Sequence, residues 1–94
     1  MQFPYWIDQQ QDKRQRARLR LKFMLSHATL RKYGRTSIHD LARDVQCNHS
    51  SVFNAIARGY FTTDMAERIE RVLGRTELRH EWLVDPLNVE ATHQ

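Results

Sequence analysis

Cysteine, proline and glycine are all scarce in this chain of 94 residues, at one, two and three respectively. Each scarcity excludes something. A single cysteine, Cys47, forbids an internal disulfide and fits a reducing compartment. Few prolines and glycines argue against disorder and against a turn-rich β architecture. Apolar runs are short, and none approaches the ~20 residues a membrane helix needs. Met1 to Ile7 is apolar but lacks the positively charged start of a secretory signal. A cytoplasmic, nucleoid-associated protein without a membrane partner is the expectation.

Catalytic patterns are also missing. There is no glycine-rich phosphate loop, and the Asp and Glu residues are scattered singly along helical stretches. His27, His39, His49, His80 and His93 lack the close spacing, and the cysteine pairs, of a zinc site. Cys47 has His49 nearby, but it falls in an apolar turn stripe and reads as a small buried residue rather than a nucleophile. Neither an enzyme nor a cofactor is expected.

What the chain does have is asymmetric charge. Residues 1–35 carry nine Lys or Arg against Asp8 and Asp12, a net of +7; residues 36–94 carry six Arg against nine acids, a net of −3. A basic segment beside a near-neutral body suits a polyanion. The plain reading of the same charge is a solvated helix face that keeps the protein soluble.

Apolar spacing predicts five helices. Ala17, Leu21, Met24, Leu25 and Ala28 line one face of a first helix from about Asp12 to Leu30, and Leu19, Phe23 and Leu30 form a second stripe nearly opposite. The apolar N-terminus (Phe3, Tyr5, Trp6, Ile7) is expected to fold back over that second stripe, or a partner subunit to cover it. A second helix starts at Thr36 or Ser37 and buries Ile38, Leu41, Ala42 and Val45. Gln46-Cys47-Asn48 interrupts the period. A third helix, about His49 to Ala57, buries Val52, Ala55 and Ile56 and stops at Gly59. Thr63 or Asp64 opens a fourth helix carrying Met65, Ile69, Val72 and Leu73, with Asp64 and Glu67 spaced as a capping box. Thr76 caps a short fifth helix with Leu78 and Trp82, which Pro86 ends. The expected organisation is an apolar arm over 1–12, a helical domain over 13–84 and a frayed tail over 85–94.

Two short helices separated by three or four residues form the core of a helix-turn-helix. Inward Val52, Ala55 and Ile56 leave an outward stripe of His49, Ser50, Phe53, Asn54 and Ala57 on the third helix. Histidine, serine and asparagine can hydrogen-bond base edges, and asparagine suits adenine. Phe53, an aromatic on a polar face, would pack on a thymine methyl; the alternative is a rotated helix in which Phe53 is core. Arg35, Thr36, Ser37, Ser51, Arg58 and Tyr60 bracket the pair as phosphate contacts, which position rather than specify.

The run from Ile38 through Leu41-Ala42, Val45, Asn48 and Val52-Phe53-Asn54-Ala55-Ile56 to Ala57 resembles the helix-turn-helix of the lambda-repressor-like superfamily. Its continuation through Met65–Leu73 to Glu77 and Trp82 is similar to the Ner-type regulators of Mu-like phages. The resemblance spans roughly Arg20 to Trp82. It implies a five-helix all-α fold, base reading from His49, Ser50, Phe53 and Asn54, a phosphate place at the start of the second helix, and transcriptional repression. Gln46 departs from it, since that turn position is usually glycine.

One such domain reads few base pairs, so a homodimer on a double-stranded operator is expected, with half-sites about one turn, roughly 34 Å, apart. Its surface would be either helix one with the N-terminal aromatics or helix five around Trp82. A five-helix core leaves no room for a sensing domain, so no small-molecule effector is expected. Two other readings stay open: a protein-interaction module (an antitoxin or anti-host adaptor) and an architectural DNA binder without sequence preference. Steep salt dependence separates phosphate binding from the first of these.

Overall fold

The computed structural model describes residues 2–74, 78–89 and 92–93, and these are overwhelmingly helical. Six helices follow one another: α1 (Tyr5–Asp8), α2 (Lys13–Tyr33), α3 (Ile38–Val45), α4 (His49–Arg58), α5 (Thr63–Leu73) and α6 (His80–Val84). A 3-10 turn at Pro86–Asn88 follows α6.

Short-range hydrogen bonds decide where most of these helices begin. The first backbone N–H groups of a helix have no partner within it, so a side-chain oxygen just ahead is stabilising. Asp12 accepts from the N–H groups of Arg14 and Gln15 at the start of α2. Ser37 accepts from Asp40 N, and Asn48 from Ser50 N. Thr62 accepts from Met65 N. This last cap corrects the expected Asp64–Glu67 capping box: the cap is Thr62, two residues too early for that pair to bracket the first N–H groups. Thr76, expected to cap the last helix, lies outside the described residues. That helix starts only at His80, after an Arg79 that provides no side-chain cap, and buried Leu78 precedes it.

Helix ends follow equally local rules. Gly34 and Gly59 close α2 and α4 at φ +76° and +99°, where a Cβ is strained. Gln46 closes α3 at φ +64°, ψ +47°. It is the one non-glycine residue with positive φ among the described residues. The turn therefore keeps its left-handed step without glycine, at some conformational cost.

Packing converts these helices into one core. Leu21, Met24, Leu25 and Ala28 of α2 meet Leu41, Ala42 and Val45 of α3, Val52 and Ala55 of α4, and Ala66, Ile69 and Leu73 of α5. The connections add their own ties. Thr29 donates its hydroxyl to Leu25 O at 2.7 Å and accepts from Ser37 N at 3.3 Å, fixing the approach to α3. Arg68 of α5 donates to the Val45 carbonyl at 2.6 Å, satisfying a terminal group of α3. Phe61, fully buried between α4 and α5, donates its N–H to Leu83 O of α6 at 2.9 Å.

The N-terminal segment folds back on α2, in line with its apolar residues, while Pro86 and Val89 pack where a frayed tail is the expectation. Phe3 and Ile7 are buried, and Phe3 packs edge-on against Phe23 with centroids 5.5 Å apart. Leu19 is half-covered, but Leu30 stays 49% exposed, so the N-terminal segment covers only part of the second stripe of α2. Pro86 and Val89 are buried as well. The backbone of Gln2–Phe3 pairs in parallel with Thr92–His93.

The clasp between the two ends is Arg20. Only 7% exposed, it donates Nε and Nη2 to the Asp8 carboxylate at 2.8 and 2.6 Å. Its Nη1 donates to the carbonyls of Pro86 and Val89 at 3.0 and 3.1 Å, and its guanidinium lies 4.7 Å over the Phe3 ring. A planar guanidinium with five donors can serve all of these at once, which an ammonium cannot. Arg20 therefore contributes nothing to a polyanion-facing charge; it is an internal strut.

Candidate nucleic-acid interface

Helix α4 is held by one face. Val52 is fully buried and Ala55 nearly so, and Ile56 is half-covered beside them. Burying a valine side chain stabilises by about 1.5–3 kcal/mol, so this short helix has a defined rotation. At its far end Gly59 abuts α2: a Cβ there would stand 3.5 Å from the Ala17 Cβ. Arg14 of α2 donates Nε to the Ala57 carbonyl at 3.2 Å, satisfying a terminal acceptor of α4.

With that rotation set, His49, Ser50, Phe53, Asn54 and Ala57 all fall on the exposed side, and Ser51 is exposed as well. Phe53 is 46% exposed, so the alternative in which it is core does not hold. Neither is it isolated. The His49 ring stands edge-on to it at 6.1 Å, and His39 of α3 approaches it at 6.2 Å. The two imidazoles lie 4.4 Å apart between centroids. The three rings form a surface cluster across α3 and α4, and aromatic pairs of this kind contribute roughly 0.5–1.5 kcal/mol each. His39 was missed in the sequence. The available signal was its position as the second residue of α3, about two turns before the connection to α4.

The flanking residues sort less uniformly. Thr36 is exposed and shares its hydroxyl with the Ser26 carbonyl at 3.4 Å. Ser37 spends its hydroxyl on the cap and its N–H on Thr29. Arg35 is engaged: its Nε and Nη2 reach Asp40 Oδ2 at 3.0 and 2.9 Å. Arg43 binds the other oxygen of Asp40 and also Asp44, which accepts from the Tyr33 hydroxyl at 2.7 Å. The hydrogen bond from Arg35 holds the Asp40 carboxyl below the usual carboxylate range, against the opposing effect of burial. Arg43 and Tyr33 do the same for Asp44, and burial together with that Asp44 contact pushes the Tyr33 hydroxyl well up. The approach to α3 is therefore a neutralised network rather than a free cationic one. Arg58 stacks 4.5 Å over the Tyr60 ring and donates to the Tyr60 carbonyl, and both side chains remain at the surface.

One group of possible metal ligands gathers among the described residues, Glu70, His80 and Glu81, with ligand atoms within 4.8 Å of one another. Each imidazole nitrogen already faces a carboxylate, Nδ1 at 3.1 Å from Glu70 and Nε2 at 3.4 Å from Glu81. The His80 N–H also donates to Glu70 at 2.6 Å, and this bond holds the Glu70 carboxyl low. The group ties α6 to α5. Among the described residues no helix is long and apolar enough to cross a membrane.

Compared with known protein families, curated proteins and solved structures, the chain matches none.

Proposed function

We propose that this protein is a sequence-specific double-stranded DNA-binding regulator of transcription, a repressor of the lambda-repressor-like, Ner-related kind. In this reading α3, the Gln46–Asn48 turn and α4 form the helix-turn-helix, and α4 enters the major groove. The observation that carries it is the outward face of α4. A short helix, braced at both ends and locked by Val52 and Ala55, leaves His49, Ser50, Phe53, Asn54 and Ala57 uncovered in one row. Asn54 offers the donor–acceptor pair that matches adenine, and His49 and Ser50 offer single polar contacts. Phe53, held by two imidazoles, presents an apolar edge for a thymine methyl. No enzymatic chemistry, cofactor or small-molecule effector enters this function.

A homodimer is part of the proposal, since one helix reads too few base pairs for useful specificity. Tyr5 and Trp6, 55% and 50% exposed, favour the α1 end over Trp82, which is half-covered against the core. The same two side chains are what favour a second reading, a module that binds another protein.

Selection of bound fragments from random duplex DNA, followed by titration of the winners at two salt concentrations, tests the proposal. A palindromic motif bound with a steep salt slope is the expected result. Salt-sensitive binding without a motif would instead describe an architectural binder, and no enrichment would turn attention to a protein partner.

A further inference from the structure

The cations of this protein fall into two classes that its sequence does not separate. Arg20, Arg35, Arg43 and Arg68 each have a carboxylate partner, in Asp8, Asp40, Asp44 and Asp64. Among the described residues ten cations have no carboxylate within ion-pair distance: Arg16, Lys22, Arg31, Lys32, Arg71 and Arg79, and the four at one end of the fold, Lys13, Arg14, Arg18 and Arg58. These four are exposed. Their hydrogen bonds go to neutral acceptors: Ala57 O for Arg14, the Gln15 side chain for Arg18 and Tyr60 O for Arg58.

Their placement is specific too. The Arg14–Ala57 bond and the 3.5 Å approach of Gly59 to Ala17 set the first two turns of α2 against the C-terminal end of α4. Arg58 is the last residue of α4, so these four, out of the unpaired cations, flank one end of the proposed reading helix. Helix stability does not account for Lys13. Cations in the first turn of a helix oppose its dipole, and α2 has Lys13 and Arg14 there with no acid beyond its Asp12 cap.

From this we infer that Lys13, Arg14 and Arg18, together with Arg58, form the phosphate-holding strip of the protein, and that Arg35 does not. The inference rests on the DNA-binding reading. It adds which strand of charge carries the affinity: the phosphates beside the C-terminal end of α4 are gripped by α2, while Arg35, at the approach to α3, is neutralised by Asp40.

The test is the salt dependence of binding to random-sequence duplex DNA by the full chain, with the double variant K13Q/R18Q. Each lost phosphate contact lowers the log–log slope by about one unit. A fall of about two units is expected, with binding roughly 10–30-fold weaker near 0.15 M salt. Thermal stability should be unchanged or higher, because both residues are exposed and one opposes the dipole. R31Q is the control: eighteen residues further along α2 is about 27 Å away, and its slope should match the parent. Equal slopes for K13Q/R18Q and the parent would overturn the strip while leaving DNA binding intact. So would an R31Q slope that falls as far. A parent protein that shows no salt-sensitive binding would remove the DNA reading, and this assignment with it.

Discussion

Replacing Arg20 with methionine keeps an unbranched apolar stem and removes its five donors, which makes it a direct measure of what this buried guanidinium contributes. Two consequences follow from the geometry. The Asp8 carboxylate loses both short bonds while its side chain remains only 18% exposed. The carbonyls of Pro86 and Val89 lose their shared donor. Breaking a buried ion pair by removing one partner costs about 3–5 kcal/mol, and each carbonyl left unmet costs about 1–3 kcal/mol. These do not simply add, because the two chain ends can lift away and let water reach the orphaned groups. Undocking then sacrifices the burial of Phe3, Pro86 and Val89 instead. A net loss of about 3–5 kcal/mol is expected, a large fraction of the 5–15 kcal/mol typical of small domains.

Urea unfolding followed by helical circular dichroism measures it. The denaturant slope should also fall, because ends that are already undocked expose less new surface on unfolding. Asp8→Asn in the R20M background should recover part of the loss, since a neutral amide costs less than a carboxylate once the guanidinium is gone, while the two carbonyls stay unmet. A cost below about 1 kcal/mol for R20M would refute the strut and return Arg20 to the solvated, polyanion-facing class.

Three further outcomes are expected. Gln46→Gly should raise stability by about 0.5–1 kcal/mol, or roughly 2–6 °C in Tm, by relieving a left-handed conformation that costs a non-glycine residue about 1–2 kcal/mol, offset in part by glycine's greater chain entropy; a lower Tm would show that the Gln46 side chain contributes more than its backbone costs. Asp40, held low by Arg35, contributes stability that is present above the unfolded carboxylate value near pH 3.9 and lost as pH falls through its lower folded value. The difference in unfolding free energy between the parent and D40N should therefore shrink on acidification below about pH 4, and a difference that stayed constant from pH 6 to pH 2 would dismiss the pairing. Asn54→Ala should weaken binding to a selected operator by roughly 1–3 kcal/mol while leaving random-duplex binding unchanged, and an unaltered operator preference in competition assays would mean that Asn54 reads no base.

Much of this fold was legible along the chain because its causes are local. A helix advertises its buried face by a period of 3.6 residues and its start by an oxygen within three positions. Hence α2, α3, α4 and α5 begin and end within a few residues of where spacing and caps put them, and Ser37, Asn48, Gly34 and Gly59 act as their residue types predict. The outward row of α4 was equally legible, since two inward residues fix a helix's rotation.

What was not legible depends on partners far away in sequence. Nothing local distinguishes Arg20 from Arg18, yet one is an internal strut tied to residues 12, 66 and 69 positions away and the other is exposed. Nor does spacing reveal that Arg35 is neutralised by Asp40, or that His39 joins His49 and Phe53 across two helices. The two ends read as arm and frayed tail because α1 and the Pro86–Asn88 turn are too short to show a period. Sequence alone determined where the four longer helices run and which face of each is apolar. Only the tertiary structure decided which charges are spent inside the protein and which stay outside, because a charge's solvation and pairing are set by whatever the fold brings within a few ångströms of it.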